Sequence, residues 1–403
     1  KSGQNGQEFR LFWQDFSTIM VAVIHGFADN ILTMYSSPRL ITIGGKGKTR
    51  ELKIGGNAPV SIQTMWKAPL TPDSLVYISK QMTELAMLGC DVVRFAVPDM
   101  ESADLLVRLA DMTDMPLVAD IHFDHRLALR CLDGNVAKIR INPGNIGSKD
   151  KVREVVERAR DANAAIRIGV NTGSLPADLR GRVEALSPRD EEFETIRAEA
   201  LVEAAEREVA VFDELGFSSV VVSMKASSVT ETVLCNEQFA SRFDIPVHLG
   251  VTEAGPLIGG IVKSTLAFSR LFAQGIGSTV RVSLSDTVEN EVVAARAILS
   301  ECGQRKGGVT IVSCPRCGRD GFDVHGFVSR WQKELLSLNK AITVAVMGCV
   351  VNGPGEGKHA DIGITGAGDY ILIFRHGEIV RKESIGSDPS ATDRVFREEL
   401  DKV

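Results

Sequence analysis

The sequence predicts an α/β protein in which a (β/α)8 TIM-type barrel is followed by a small α+β domain, and three observations predict it. Eight strand-like runs alternate with amphipathic helical stretches between residues 39 and 302, the rhythm of βα units on a parallel sheet. Each run ends on a polar side chain, as the mouth of such a barrel requires. After a linker from Cys302 to Gly308 the rhythm changes and a Cys-x-x-Cys pair appears. A chain of 403 residues accommodates a barrel of roughly 250 residues and a smaller partner.

Residues 1–38 show no lasting period and are read as an extension of unknown role, expected to be disordered. From Arg39 the pattern is regular. Leu40 to Ile43, Gly44-Gly45 and Arg50 to Ile54 form a hairpin expected to lie across the barrel bottom. The eight strands expected are Val60 to Gln63, Val92 to Val97, Leu117 to His122, Ala137 to Asn142, Ile166 to Asn171, Ser219 to Met224, Val247 to Thr252 and Thr279 to Leu284. Asp150 to Asn163, Glu192 to Leu215 and Asp286 to Glu301 read as helices between them. The second domain, 303–403, reads as strand, helix, strand, a glycine-rich loop, two strands (Tyr370 to Phe374 and Ile379 to Lys382) and a closing helix from Ala391.

Composition narrows the class. Hydrophobic content of 44% and charged content of 24% are those of a globular protein. A formal net charge of -6 argues against nucleic acid as partner, so any positive site must be local. Seven cysteines, an odd number in a chain this long, point to a reducing compartment and to thiols used for chemistry. The longest apolar attempt, Ile19 to Ile24, falls well short of the ~18 residues of a membrane span. The chain therefore reads as cytoplasmic, with no membrane partner.

The polar strand ends are Gln63, Arg94, Asp120 with His122, Arg140 with Asn142, Arg167 with Asn171, Lys225, Glu253, and Arg281 with Ser283. Alternation places Lys138, Arg140 and Asn142 on one face, and likewise Arg167, Gly169 and Asn171, while Ile139, Ile141, Ile166, Ile168 and Val170 face the helices. Basic groups pointing into a barrel are costly unless they meet an anion. Asp120, Asp124 and Glu253 are too few to pair Arg94, Arg140, Arg167, Lys225 and Arg281, which favours a ligand with more than one phosphate.

In the second domain, Cys314-Pro-Arg-Cys317 follows a strand-like run and Cys349 sits in a glycine-flanked loop that leads to Glu356. A structural zinc would want a fourth firm ligand, and His359 lies at irregular spacing. A [4Fe-4S] cluster on three thiolates, with Glu356 as an exchangeable fourth ligand, is the better fit. Cys90, Cys131, Cys235 and Cys302 read as structural thiols.

Together these motifs resemble the 4-hydroxy-3-methylbut-2-enyl diphosphate synthase family, from Arg39 to the C-terminus. The stretches that carry the resemblance are VADIHFDHRLAL (118–129), KIRINPGNIG (138–147), IRIGVNTGSL (166–175), SMKAS (223–227), VTEAG (251–255), SCPRCGR (313–319) and GCVVNGPGEG (348–357). The resemblance implies reductive ring opening and dehydration of 2-C-methyl-D-erythritol 2,4-cyclodiphosphate to (E)-4-hydroxy-3-methylbut-2-enyl diphosphate in isoprenoid biosynthesis. It implies a [4Fe-4S] cluster on Cys314, Cys317, Cys349 and Glu356, and electrons from flavodoxin or ferredoxin. It matches Arg94, Arg140, Arg167, Asn171, Lys225, Arg281 and Ser283 to diphosphate-binding positions, and Glu253 to a carboxylate that moves a proton. Asp120, His122 and Asn142 are taken as further substrate contacts. It also implies a homodimer in which the small domain of one chain covers the barrel mouth of the other. Two other readings are a pterin-binding barrel transferase and a zinc-stabilised barrel that binds a macromolecule. The first leaves Cys314, Cys317 and Cys349 without a role, and the second wants a basic, aromatic-bearing surface on 303–403, where Trp331 and Tyr370 are the only Trp or Tyr.

Overall fold

The structure, a computed structural model, describes residues 37–315, 317, 321–351, 353, 355–384 and 389–403. Of the extension assigned to residues 1–38, all but the last two residues lie outside the described residues. The chain divides into two compact units, the first closing at Arg305 and the second running from Lys306 to Val403.

The first unit opens with β1 (Ile41–Ile43) and β2 (Leu52–Ile54), paired antiparallel with Ile41 opposite Ile54. Eight parallel strands follow: β3 (Ser61–Met65), β4 (Val92–Ala96), β5 (Leu117–Asp120), β6 (Lys138–Ile141), β7 (Ala165–Asn171), β8 (Val220–Lys225), β9 (His248–Leu249) and β10 (Thr279–Val280). Their order is β8-β7-β6-β5-β4-β3-β10-β9, and a parallel bridge between Val222 and Val247 closes the ring. The expected runs Val247 to Thr252 and Thr279 to Leu284 are longer than the ladders observed. Past the two-residue ladders the chain is held by single bonds, Arg281 N–H to Leu249 C=O at 3.0 Å and Thr252 N–H to Ala226 C=O at 3.0 Å.

The hairpin plugs the bottom. Ile41, Ile43 and Ile54 pack with Val92, Val118, Ala137, Ala165 and Val221, which lie at or near the N-terminal ends of β4 to β8. Each isoleucine buried there contributes about 1.5–3 kcal/mol. Plugging one end leaves the C-terminal rim as the open mouth. All four residues of β6 are buried, because helices cover one face and the barrel interior the other. The alternation is therefore one of residue type, Ile139 and Ile141 outward and Lys138 and Arg140 inward.

In the second unit, β11 (Thr310–Ser313), β12 (Thr343–Met347), β13 (Ile362–Ala367), β14 (Tyr370–Arg375) and β15 (Glu378–Ser384) form one sheet in that order. The first three run parallel and the last two continue antiparallel. Helices Val324–Ser337 and Pro389–Leu400 cover one face, with Phe396 edge-on to both Phe327 and Trp331. Strand β13 is missing from the sequence reading, for a physical reason. Its sequence Ile-Gly-Ile-Thr-Gly-Ala is interrupted by two glycines, which weaken the strand signal of the isoleucines and threonine. The glycines are there for space: a Cβ on Gly363 would stand 2.1 Å from the Phe374 ring, and one on Gly366 2.0 Å from the Gly321 carbonyl oxygen.

Candidate functional site

The barrel mouth opens on a cavity of about 170 Å³ lined by Arg94, Asp120, His122, Arg140, Arg167, Gly169, Val170, Asn171, Ser223, Lys225, Thr252, Arg281 and Ser283. Nine of the eleven barrel residues proposed from sequence meet here; Asn142 and Glu253 do not. The Asn142 side chain instead accepts from Gly144 N–H at 3.1 Å and caps the turn Pro143–Ile146. Glu253 is exposed, next to the lining residue Thr252, and holds a φ of +50°. A non-glycine residue in that left-handed region marks strain of the kind found at functional sites.

Charge dominates the interior. Arg94, Lys138, Arg140, Arg167, Lys225 and Arg281 enter the barrel, and among the described residues the carboxylates paired with them are Asp120 and Glu291. Asp120 accepts from Arg140 Nη1 at 3.3 Å and lies 3.6 Å from Arg94 Nε. Burial alone would push its carboxyl up, but the guanidiniums of Arg94, Arg140 and Arg167 outweigh burial and hold it below the usual range. Arg140 Nη1 also meets His122 Nε2 at 3.1 Å, and its Nη2 donates to Gly169 C=O at 3.1 Å. Asp124, a candidate counterion by sequence, is engaged elsewhere. It caps helix His125–Leu132 and pairs with Arg126.

The other cations have less company. Arg167 is 1% exposed, and its Nε and Nη1 have no hydrogen-bond partner. Burial, then the neighbouring Arg94 and Arg140, draws it well below the ordinary range of a guanidinium. Lys138, fully buried beneath Arg140 on β6, also has an unpartnered Nζ. Burial first, then Arg167 and Arg94, lowers it to about 7. Lys225 is likewise well below its usual value, by burial and then by Arg167 and Arg94. Arg94 is drawn down to about 10, chiefly by burial. Cations held this close, with orphaned donors, are an arrangement that a polyanion would satisfy.

Sequence reasoning missed two titratable interior residues. His248 on β9 is fully buried with its Nε2 unpartnered, and burial followed by Lys225 and Arg167 pushes it well below its normal range. Glu291 belongs to helix Val288–Glu301, where the buried stripe Val288, Glu291, Val292 and Ala295 was a signal that the carboxylate points inward.

Backbone space is equally tight. A Cβ on Gly169 would lie 2.4 Å from Arg140 Nε and 2.8 Å from its Nη2. Gly169→Ala should displace the Arg140 guanidinium and weaken binding of inorganic pyrophosphate by about tenfold or more, with the fold retained. Titration calorimetry and far-ultraviolet circular dichroism would check it; unchanged affinity would remove Arg140 from the anion site.

In the second unit, Cys314 and Cys349 follow the adjacent parallel strands β11 and β12, at the same end of the sheet. Gly348 N–H donates to Cys314 Sγ at 3.0 Å, the kind of bond that stabilises a metal-bound thiolate. Cys349 is buried and Cys317 exposed. The loop that follows is folded closely: Gly353 N–H bonds Cys349 C=O, and a Cβ on Gly355 would lie 2.6 Å from Val351 C=O. It delivers the chain to the short turn Glu356–His359; the Glu356 side chain lies outside what the structure describes. Among the described residues no three Cys, His, Asp or Glu side chains stand close enough together to hold a metal. The thiols that follow β11 and β12 at one sheet end, with a carboxylate position after a glycine loop, are nevertheless the donor types that suit an iron–sulfur group. The remaining thiols differ. Cys90 and Cys131 are buried and pushed up to about 12 by burial, and Cys235 is raised further in the same direction.

Comparison with known proteins agrees along the chain. The profile described as GcpE TIM-barrel domain matches residues 46–296, and that of the GcpE protein C-terminal domain matches residues 310–395. A relative from Treponema denticola named 4-hydroxy-3-methylbut-2-en-1-yl diphosphate synthase (flavodoxin) is 58% identical over 381 residues, 91% of this chain and 98% of that protein. One of the same name from Treponema pallidum is 61% identical over 371 residues, covering 91% and 92%. A third, from Natranaerobius thermophilus, is 42% identical over 356 residues, covering 88% and 96%. Among the described residues no helix is long and apolar enough to cross a membrane. With both domain profiles matched in order and relatives of this identity over nearly their whole length, the chain belongs to the GcpE family.

Proposed function

We propose that this chain catalyses the reductive ring opening and dehydration of 2-C-methyl-D-erythritol 2,4-cyclodiphosphate to (E)-4-hydroxy-3-methylbut-2-enyl diphosphate, an isoprenoid precursor, with flavodoxin as electron donor. The observation that carries the reading is the barrel interior, where six cations, five of them lining the mouth cavity, face the two carboxylates Asp120 and Glu291, and Arg167 and Lys138 keep unpartnered donors. The names of the family relatives supply the identity of the product and donor, and favour this reaction over pterin transfer or macromolecule binding.

The stoichiometry sets what the residues must do. Two electrons and two protons enter, the bond from carbon to one ring phosphate oxygen breaks, and the leaving hydroxyl departs as water. Arg140, Arg167, Lys225 and Arg281 hold the two phosphates, so that the charge developing on the freed phosphate oxygen is met where it forms. Asn171 and Ser283 add neutral polar contacts at the rim. His122, bonded to Arg140, and Asp120, shared between Arg94 and Arg140, fix the guanidinium planes. Glu253, on the loop beside Thr252, moves a proton near the reacting carbons.

Cys314, Cys317, Cys349 and Glu356 would hold a [4Fe-4S] cluster; the thiol pair at the ends of β11 and β12 and the N–H bond to Cys314 support it. Such a cluster supplies single electrons for the C–O cleavage. We read the chain as working as a homodimer in the cytoplasm. The test is anaerobic conversion of the cyclic diphosphate with reduced flavodoxin, followed by detection of the open-chain product. Glu253→Gln should reduce that conversion by at least roughly a hundredfold while leaving pyrophosphate binding intact. No product from the wild-type protein carrying iron and sulfide would end the proposal.

A further inference from the structure

We infer that Glu291, which does not line the cavity, positions Arg281 for the phosphate it grips, acting by orientation and not by charge. The inference rests on reading the barrel mouth as a diphosphate site.

Glu291 lies in the first turn of helix Val288–Glu301 and is 1% exposed. Both of its oxygens are engaged from separate parts of the barrel. Arg281 Nε donates to Oε2 at 3.3 Å and Nη2 to Oε1 at 3.2 Å. Thr64 Oγ1, on β3, donates to Oε2 at 2.7 Å. Leu284 N–H donates to Oε1 at 3.1 Å, and Lys67 Nζ stands 3.1 Å from the same oxygen. Lys67 also donates to Leu284 C=O and to Asp286 C=O. A buried carboxylate tied at this many points is a fixed body.

The orientation it imposes is specific. Nε and Nη2 of Arg281 are turned onto Glu291, while Nη1 has only a weak contact, the Met65 thioether at 3.8 Å. Because Arg281 lines the cavity, Nη1 is the donor left for a phosphate oxygen. The bond to Leu284 fixes the backbone immediately after Ser283, so one carboxylate holds both polar residues at this end of the strand.

Orientation and charge predict opposite signs. A negative group behind an anion site opposes the anion, so removing its charge should tighten binding if Glu291 were a counterion and nothing more. If it positions Arg281, removing the bidentate contact should weaken binding although the site becomes more positive.

The experiment is a double-mutant cycle on the full chain, read as the affinity for inorganic pyrophosphate by titration calorimetry. Glu291→Gln should weaken binding about tenfold, and in the Arg281→Ala background the same change should have no further effect. Equal or tighter binding by Glu291→Gln overturns the proposal, and so does an equal loss in both backgrounds, which would mean a general structural role. If Glu291→Gln does not fold, Thr64→Val removes one bond to Oε2 and keeps the charge. It should weaken binding about threefold in the wild-type background only, and no change would overturn the proposal. A wild-type protein that binds neither pyrophosphate nor the cyclic diphosphate would instead remove the diphosphate reading, and this proposal with it.

Discussion

Arg167→Met should bind inorganic pyrophosphate about a hundredfold more weakly than the parent and yet unfold at a higher temperature when no ligand is present. Arg167 is 1% exposed, has two unpartnered nitrogens, and is surrounded by Arg94, Arg140 and Lys138. Without an anion it is a buried charge among like charges, and an apolar replacement of similar length is expected to stabilise the free protein by about 1–4 kcal/mol. Scanning calorimetry with and without pyrophosphate measures both halves. A variant that loses stability without ligand would show that Arg167 is satisfied in the free protein, contrary to its geometry.

The same crowding has a signature in pH. Lys138 is lowered from the ordinary 10.5 to about 7. Above pH 7 the folded chain leaves this amine neutral, whereas the unfolded chain keeps it protonated until about 10.5. The unfolded state therefore binds more protons across that window, and the stability of the free protein should rise with pH from 7 toward 10.5. Below pH 7 both states are protonated and this contribution is flat. Removing the Arg167 charge raises the amine back toward its usual value, so the slope should be shallower in Arg167→Met. Pyrophosphate should flatten it in the parent, because the anion favours the protonated amine.

Cys349→Ala should lose iron and sulfide on anaerobic purification and lower turnover by roughly a thousandfold or more, with pyrophosphate affinity unchanged. Cys349 is buried just past the end of β12, the parallel neighbour of the strand that leads to Cys314, whose sulfur accepts the N–H bond from Gly348. Removing one of three thiolates leaves an incomplete donor set. The barrel, a compact unit in its own right, keeps its cations. Counting iron, sulfide and zinc on the same sample decides the matter. A parent protein with zinc and no iron, even after reconstitution, would remove the oxidoreductase reading and leave the anion site standing.

The barrel was legible because its signals are short-range. Strand period two puts Lys138 and Arg140 on one face of β6 and Ile139 and Ile141 on the other, and the polar residue at each strand end follows from parallel connectivity. The hairpin plug was legible for the same reason, since Ile41, Ile43 and Ile54 are apolar positions flanking a glycine turn. Strand β13 was not, because glycines chosen to fit against Phe374 and Gly321 erase the strand signal.

The sequence by itself determined the fold class, the thiol pattern and the surplus of cations at the strand ends. Tertiary structure alone decided how each charge is met. Glu291 reaches Thr64 across 227 positions of sequence, and Asp124, a counterion candidate by sequence, turns instead to a helix cap and Arg126. Asn142 became a cap, and Glu253 took up an exposed left-handed position beside the cavity. The physical reason is that residue type and period fix which face a side chain occupies. Its hydrogen-bond partner depends on distances of about 3 Å between elements that only the closed barrel brings together.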